Sequence, residues 1–229
     1  MENTVELRGV SKVYRQNALA VPALTDVDLD IPRKDFLCLS GPSGSGKSTL
    51  LNLIGGLDRP TAGTITVDGR RVDALGKAEL AELRLRHIGF VFQAYNLIPV
   101  LSARENVEFV MQLQGRPAAE RRERAYDILK EVGLTGLEDR RPGELSGGQQ
   151  QRVAVARAIV SEPSLVLADE PTANLDSRTA ESLMQLLAHM NGEHGVTFIF
   201  STHDKLVMDF SRRLIKLHDG RIVGDERRA

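Results

Sequence analysis

Phe36-Leu37-Cys38-Leu39-Ser40-Gly41-Pro42-Ser43-Gly44-Ser45-Gly46-Lys47-Ser48-Thr49 is the stretch whose reading decides the fold. Phe36 to Ser40 is a short apolar run stopped by glycine, which reads as a buried strand, and Ser48 to Ile54 reads as a helix. Between them Gly41 to Thr49 has the spacing Gly-x-x-x-x-Gly-Lys-Ser, a phosphate-binding loop. The glycines let backbone N–H groups turn inward onto phosphate oxygens, and the helix N-terminus adds favourable partial charge. Lys47 is then placed to reach the β- and γ-phosphates, and Ser48 to ligate Mg²⁺. The plain alternative is a glycine-rich turn with an exposed lysine, which strand, loop and helix in register argue against.

Working outward, Leu165 to Ala168 and Thr197 to Phe200 are two more buried strands, each ending in polar residues where ligands bind in open α/β sheets. The first delivers Asp169-Glu170: Asp169 is placed to hold Mg²⁺, directly or through water, and Glu170 to orient or deprotonate the attacking water. Leu183, Leu186, Leu187 and Met190 form a helical stripe between these strands. Strands alternating with helices predict an α/β fold, a mainly parallel sheet covered by helices. From about Ala94 to Val160 the alternation breaks. Ala125, Ile128, Leu129 and Val132 make a helical stripe ended by Gly133, and Gln149 to Val160 reads as a second helix. We expect one domain over 1–229, its α/β core formed by 1–93 and 161–229, with a helical subdomain inserted at 94–160.

That insertion carries Leu145-Ser146-Gly147-Gly148-Gln149-Gln150-Gln151-Arg152. Ser146 is a plausible N-cap, and Gly147 and Gly148 expose N–H groups at the start of a helix, making a second anion site. Standing between the phosphate loop and the acidic strand end, this stretch resembles the signature of ABC-type ATPases. The resemblance implies the ABC ATPase fold, with antiparallel β strands at the N-terminus, ATP and Mg²⁺ as ligands, and ATP hydrolysis coupled to transport. It also implies a head-to-tail, ATP-dependent homodimer in which Ser146, Gly147, Gly148 and Gln149 serve the ATP held by the partner.

Further positions match the family by order. Gln93 resembles the glutamine that senses Mg²⁺ and water. Asn174-Leu175-Asp176 resembles the loop by which one subunit touches the other's site, and His203 the switch histidine that contacts the γ-phosphate. Tyr14 resembles the aromatic on which adenine stacks; a half-buried strand tyrosine is the other reading. Leu50 to Pro60, Ile88 to Asn96 and Ala168 to Asp176 look like the lipoprotein-release and macrolide-export branch. That branch implies an integral membrane permease as partner, and we expect it to dock near Gln93 to Val107. Lys34 stands where a glycine is frequent, and Ala173 replaces another frequent glycine.

Composition agrees. Lys and Arg number 30 and Asp and Glu 31 in 229 residues, so no basic field favours nucleic acid. The single cysteine, Cys38, suits a reducing compartment and a packing role. No secretory signal is visible and no run approaches a membrane span. The expected place is therefore the cytoplasm, peripheral on the inner face of the membrane. A soluble ABC ATPase acting on DNA or ribosomes would need coiled coils or two fused cassettes, and a module that binds ATP without turnover would lack Glu170. His87, His189, His194 and His218 are assigned no role.

Overall fold

Two long strands, β1 (Asn3–Gln16) and β2 (Leu19–Pro32), pair antiparallel at the start of the chain. The computed structural model describes residues 2–16 and 19–228. There follow β3 (Phe36–Ser40), α1 (Lys47–Ile54), β4 (Ala62–Val67), β5 (Arg70–Arg71), α2 (Lys77–His87) and β6 (Ile88–Phe92). A purely helical stretch comes next, with α3 (Ala103–Leu113), α4 (Ala118–Glu131), a 3-10 turn at Pro142–Glu144 and α5 (Gly147–Ile159). The chain then returns to α/β order with β7 (Leu165–Asp169), α6 (Ser177–His194), β8 (Thr197–Ser201), α7 (Lys205–Phe210), β9 (Arg213–His218) and β10 (Arg221–Arg227).

The main sheet has the order β10-β9-β3-β8-β7-β6, parallel except for the β9–β10 hairpin. The second sheet is antiparallel, β2-β1-β4-β5. Its strands and the parallel sheet are what the family resemblance implies.

Side chains alternate across a strand, so each central strand feeds two cores. Phe36, Cys38, Val166, Ala168, Phe198 and Phe200 face the helices, where Leu183, Met184 and Leu187 of α6 cover them. Leu37, Leu39, Leu165, Leu167 and Ile199 face the other way, onto α1 and the antiparallel sheet. All eleven are buried, which is why these strands read as unbroken apolar runs. Full burial of each large side chain contributes about 1.5–3 kcal/mol. Phe36 and Phe200 also meet edge to face, 4.7 Å between ring centres.

Three helices, α2, α3 and α7, went unread in the sequence; α7 is six residues long and buries only Val207. The buried face of α2 amounts to Leu80 and Leu83 among nine other, mostly polar residues, too sparse for a stripe. α3 buries Ala103, Asn106, Val107 and Met111 and begins at a capping box formed by Ser102 and Glu105. Lys34, at the frequent glycine position, takes φ +64°, the left-handed turn that glycine adopts freely. Ala173 is not among the left-handed residues, so the other departure needs no glycine there. Among the described residues no helix is long and apolar enough to cross a membrane.

Candidate active site

The register of the main sheet assembles the site. Leu39 pairs with Ser201, Ser201 with Asp169, and Asp169 with Phe92. The residues that follow these partners, the phosphate loop, Thr202 and His203, Glu170 and Gln93, therefore leave the sheet along one edge. Residues distant in sequence become neighbours because parallel strands all end on the same side.

The loop is shaped by close approach. Gly41 has φ +152°, and a Cβ there would lie 2.2 Å from the Leu217 carbonyl oxygen. At Gly46, φ +102°, a Cβ would lie 2.6 Å from the Ala23 carbonyl oxygen. Gly46 caps α1 without a side-chain partner, so the N–H groups of its first turn have no side-chain acceptor at that cap. Lys47 is buried and its Nζ donates to the carbonyls of Gly41 at 2.7 Å and Pro42 at 3.0 Å. Those two bonds hold the ammonium over the loop, and a third N–H donor remains. The loop encloses one side of a cavity of about 660 Å³, whose far wall carries Glu170 and His203.

Ser48 Oγ donates to Asp169 Oδ1 at 3.2 Å, joining the loop to β7. Glu170 holds a left-handed backbone, φ +47°, anchored by its N–H on the Ser201 carbonyl at 2.8 Å. Both of its carboxylate oxygens are engaged: Oε2 accepts from the Thr202 hydroxyl at 2.7 Å, and Oε1 lies 2.7 Å from His203 Nδ1. His203 is largely exposed and Glu170 largely buried. From below, the Gln151 amide of α5 donates to the Pro171 carbonyl at 2.7 Å, fixing the turn beyond Glu170.

The signature lies apart. Ser146 caps α5 by accepting from Gln149 N at 3.3 Å, while the Gln149 side chain accepts from Ser146 N at 2.8 Å. Neither residue, nor Gly147 or Gly148, lines the cavity at Lys47. A Cβ on Gly148 would come within 2.5 Å of the Thr179 methyl on α6, so this helix start packs tightly against the next one. Asp176 caps α6, accepting from Arg178 N and Thr179 N, each at 3.1 Å, and from the Thr179 hydroxyl at 2.6 Å. The Thr179 hydroxyl, followed by these N–H groups, holds its carboxyl below the usual range.

Gln93 is exposed, and its carbonyl accepts from the Asn174 amide at 2.9 Å; its side chain does not line the cavity. Tyr14 lies outside the cavity wall too. Its hydroxyl donates to Asp58 at 2.9 Å, and Lys12 Nζ sits 4.8 Å from its ring centre. Burial, then the bond to Asp58, raises the phenol above its ordinary value.

The family described as ABC transporter matches residues 24–173. The chain belongs to the ABC transporter family. It is an ATP-binding, ATP-hydrolysing component of that family. It is 49% identical over 223 residues to the lipoprotein-releasing system ATP-binding protein LolD of Anaeromyxobacter dehalogenans, covering 97% of this chain and 93% of that one. It is 47% identical over 223 residues to a macrolide export ATP-binding/permease protein, MacB 1/2, of Paracoccus denitrificans; the match covers 97% of this chain and 33% of that protein. An ATP-binding cassette of Methanocaldococcus jannaschii, solved as a dimer in a post-hydrolysis state bound to ADP and Pi, superposes with a TM-score of 0.90 at 45% identity. That superposition covers 98% of this chain and 99% of the other.

Several contributors to this ABC ATPase site were not legible in the sequence. Ala23 of β2 lines the cavity through a sheet contact that leaves no local pattern. Arg157, three turns into α5, donates to the carbonyls of Tyr95 at 2.9 Å and Asn96 at 2.5 Å. Both acceptors are left-handed residues, φ +57° and +50°, just after Gln93.

Proposed function

We propose that this chain powers a transporter of the lipoprotein-release and macrolide-export branch by closing and reopening as a homodimer around ATP. The observation that carries the reading is the separation of the two anion sites: the Ser146–Gln149 cap stands outside the cavity shared by Lys47, Ser48, Glu170 and His203. A second copy, head to tail, brings that cap to the exposed face of the nucleotide, with Asp176 at the contact between subunits.

Within each site the roles are those the family resemblance implies, supported by position for the residues that line the cavity. Gly41, Pro42, Ser43, Gly44, Ser45, Gly46 and Thr49 wrap the phosphates with backbone N–H groups, and Lys47 neutralises the γ-phosphate. Ser48 Oγ and Asp169 Oδ1, 3.2 Å apart, are hard oxygen donors that would hold Mg²⁺, and the ion would supply positive charge against the phosphates. Gln93, by its resemblance to the family's Mg²⁺-sensing glutamine, would join Ser48 and Asp169 in holding the ion in the closed dimer. Glu170 accepts the proton of the attacking water, and His203 fixes Glu170 and reaches the γ-phosphate. Tyr14 stacks on adenine, its tilt set by Asp58 and Lys12.

Residues 94–160 serve as the helical subdomain within a single domain, 1–229, whose core is 1–93 and 161–229. The membrane permease docks along Gln93 to Val107, beside a groove of about 600 Å³ whose walls include Leu85, Phe90, Phe92, Asn96, Val110 and Leu113. Within that stretch Val107 belongs to the core, so the surface is offered by Asn96, Pro99, Val100 and Glu105. The ATPase thus sits in the cytoplasm against the inner face of the membrane.

Light scattering of the Glu170→Gln protein with and without ATP-Mg²⁺ tests the reading. Removing the base without removing the phosphate loop traps the closed state, so a monomer becomes a dimer only with ATP. A protein that binds ATP and stays monomeric contradicts the trans assignment of Ser146-Gly147-Gly148.

A further inference from the structure

We infer that Thr202 is a positioning residue for hydrolysis: its hydroxyl sets the orientation of the Glu170 carboxylate and so controls turnover without touching ATP. The inference rests on the reading of Glu170 as the group that activates water.

Thr202 follows the last residue of β8 and is fully buried. Its N–H donates to the Leu39 carbonyl at 3.2 Å, tying it to the strand that feeds the phosphate loop. Its hydroxyl has two neighbours with fixed roles. The Asp204 N–H donates to it at 3.0 Å, and Glu170 Oε2 accepts from it at 2.7 Å. An ionised carboxylate can only accept and a backbone N–H can only donate, so the hydroxyl proton has one direction, toward Glu170. Asp204 is itself held: its side chain accepts from the Thr172 hydroxyl at 2.9 Å and from Leu206 N at 2.9 Å. The chain Thr172, Asp204, Thr202, Glu170 thus runs from the turn after β7 through the start of α7 and back to the carboxylate.

This support differs from that of His203. The imidazole is mostly exposed, whereas Thr202 is buried and held between two strands and a helix cap. Glu170 also carries an unfavourable left-handed backbone. Its side chain therefore needs an external anchor to keep a fixed direction. Thr202 is the anchor on the buried side, and the exposed oxygen is left to His203 and water. A charge-assisted bond of this kind is among the stronger ones in proteins.

The test is the steady-state ATPase of the full chain, with Thr202→Val, Thr202→Ala and Thr202→Ser compared. Valine keeps the shape and deletes the hydroxyl; alanine is the second variant, and the inference is judged on whichever of the two binds ATP as the wild type does. The expected result is a fall in kcat of roughly tenfold to hundredfold with KM for ATP within about twofold, and recovery to within about threefold in Thr202→Ser. The hydroxyl-deleted variant should also accumulate the ATP-bound dimer. Placed in the Glu170→Gln background, the same substitution should cost nothing further, because the group it positions is gone. Unchanged kcat in a variant that binds ATP overturns the inference, as does an additive loss in the double variant. If Glu170→Gln alone turns over ATP at the wild-type rate, the assignment of Glu170 has failed; if only the Thr202 variants do, the positioning role has failed by itself.

Discussion

Arg157→Met removes one half-buried cation at the groove wall while keeping a stem of similar length. The Arg157 guanidinium has no carboxylate partner among the described residues; it is held by the carbonyls of Tyr95 and Asn96, and burial lowers its pKa. Each charged hydrogen bond is worth about 1.5–3 kcal/mol, and the half-buried charge costs a comparable amount in lost hydration. The two carbonyls that methionine leaves behind can turn to water only by relaxing the left-handed Tyr95–Asn96 turn. The net expectation is a loss of about 2 kcal/mol, which for a chain of this size lowers the thermal midpoint by roughly 4–8 °C. Amide exchange should quicken at residues 94–97. It should not spread into 98–102, because buried Asn106 binds the Ile98 N–H and the carbonyls of Ile98, Leu101 and Ser102 independently. ATP affinity should stay unchanged, since Lys47 lies on another support. A midpoint within about 1 °C of wild type, with unaltered exchange at 94–97, would refute the claim that Arg157 holds this turn.

Two further outcomes follow from the same geometry. Gly46→Ala drives a methyl to within 2.6 Å of the Ala23 carbonyl in a left-handed backbone, so it should abolish ATP binding measured by calorimetry and lower the midpoint; retained affinity would mean the loop can shift. Cys38 is fully buried, and burial pushes its thiol up to about 12. The folded pKa is raised above the unfolded one, so this contribution to stability is complete below about pH 8.5 and is lost as pH climbs toward 12, by at most about 1.4 kcal/mol per unit. Urea denaturation from pH 7.5 to 10 should show a shallower alkaline decline in Cys38→Ala, and a thiol reagent should label the wild type only after unfolding.

Much of the core was legible because burial on both faces writes itself locally. Phe36 to Ser40, Leu165 to Ala168 and Thr197 to Phe200 had to be apolar throughout, and an unbroken apolar run is visible in a few residues. The phosphate loop was legible for a related reason: glycines at Gly41 and Gly46 are demanded by backbone approach to Leu217 and Ala23, and that demand appears at a fixed spacing. The helices α2 and α3 were missed because their buried faces are narrow and partly polar; Asn106, buried on α3, reads in sequence as a surface residue. Tyr14 could be placed on a strand, but not beside Asp58, whose hold on the phenol depends on β1 passing the end of α1.

The sequence by itself determined the α/β order, the phosphate loop, the acidic strand end at Asp169-Glu170 and the family, because each depends on residue types at short, fixed separations. Only the tertiary structure decided how the catalytic edge is held together. Thr202 with Glu170, Gln151 with Pro171, Arg157 with Tyr95 and Asn96, and Asn174 with Gln93 are pairs separated by 20 to 81 positions. They meet because parallel strands end on one side of a sheet and a packed helix fixes where each side chain reaches, and neither fact is written in the spacing of residues along the chain.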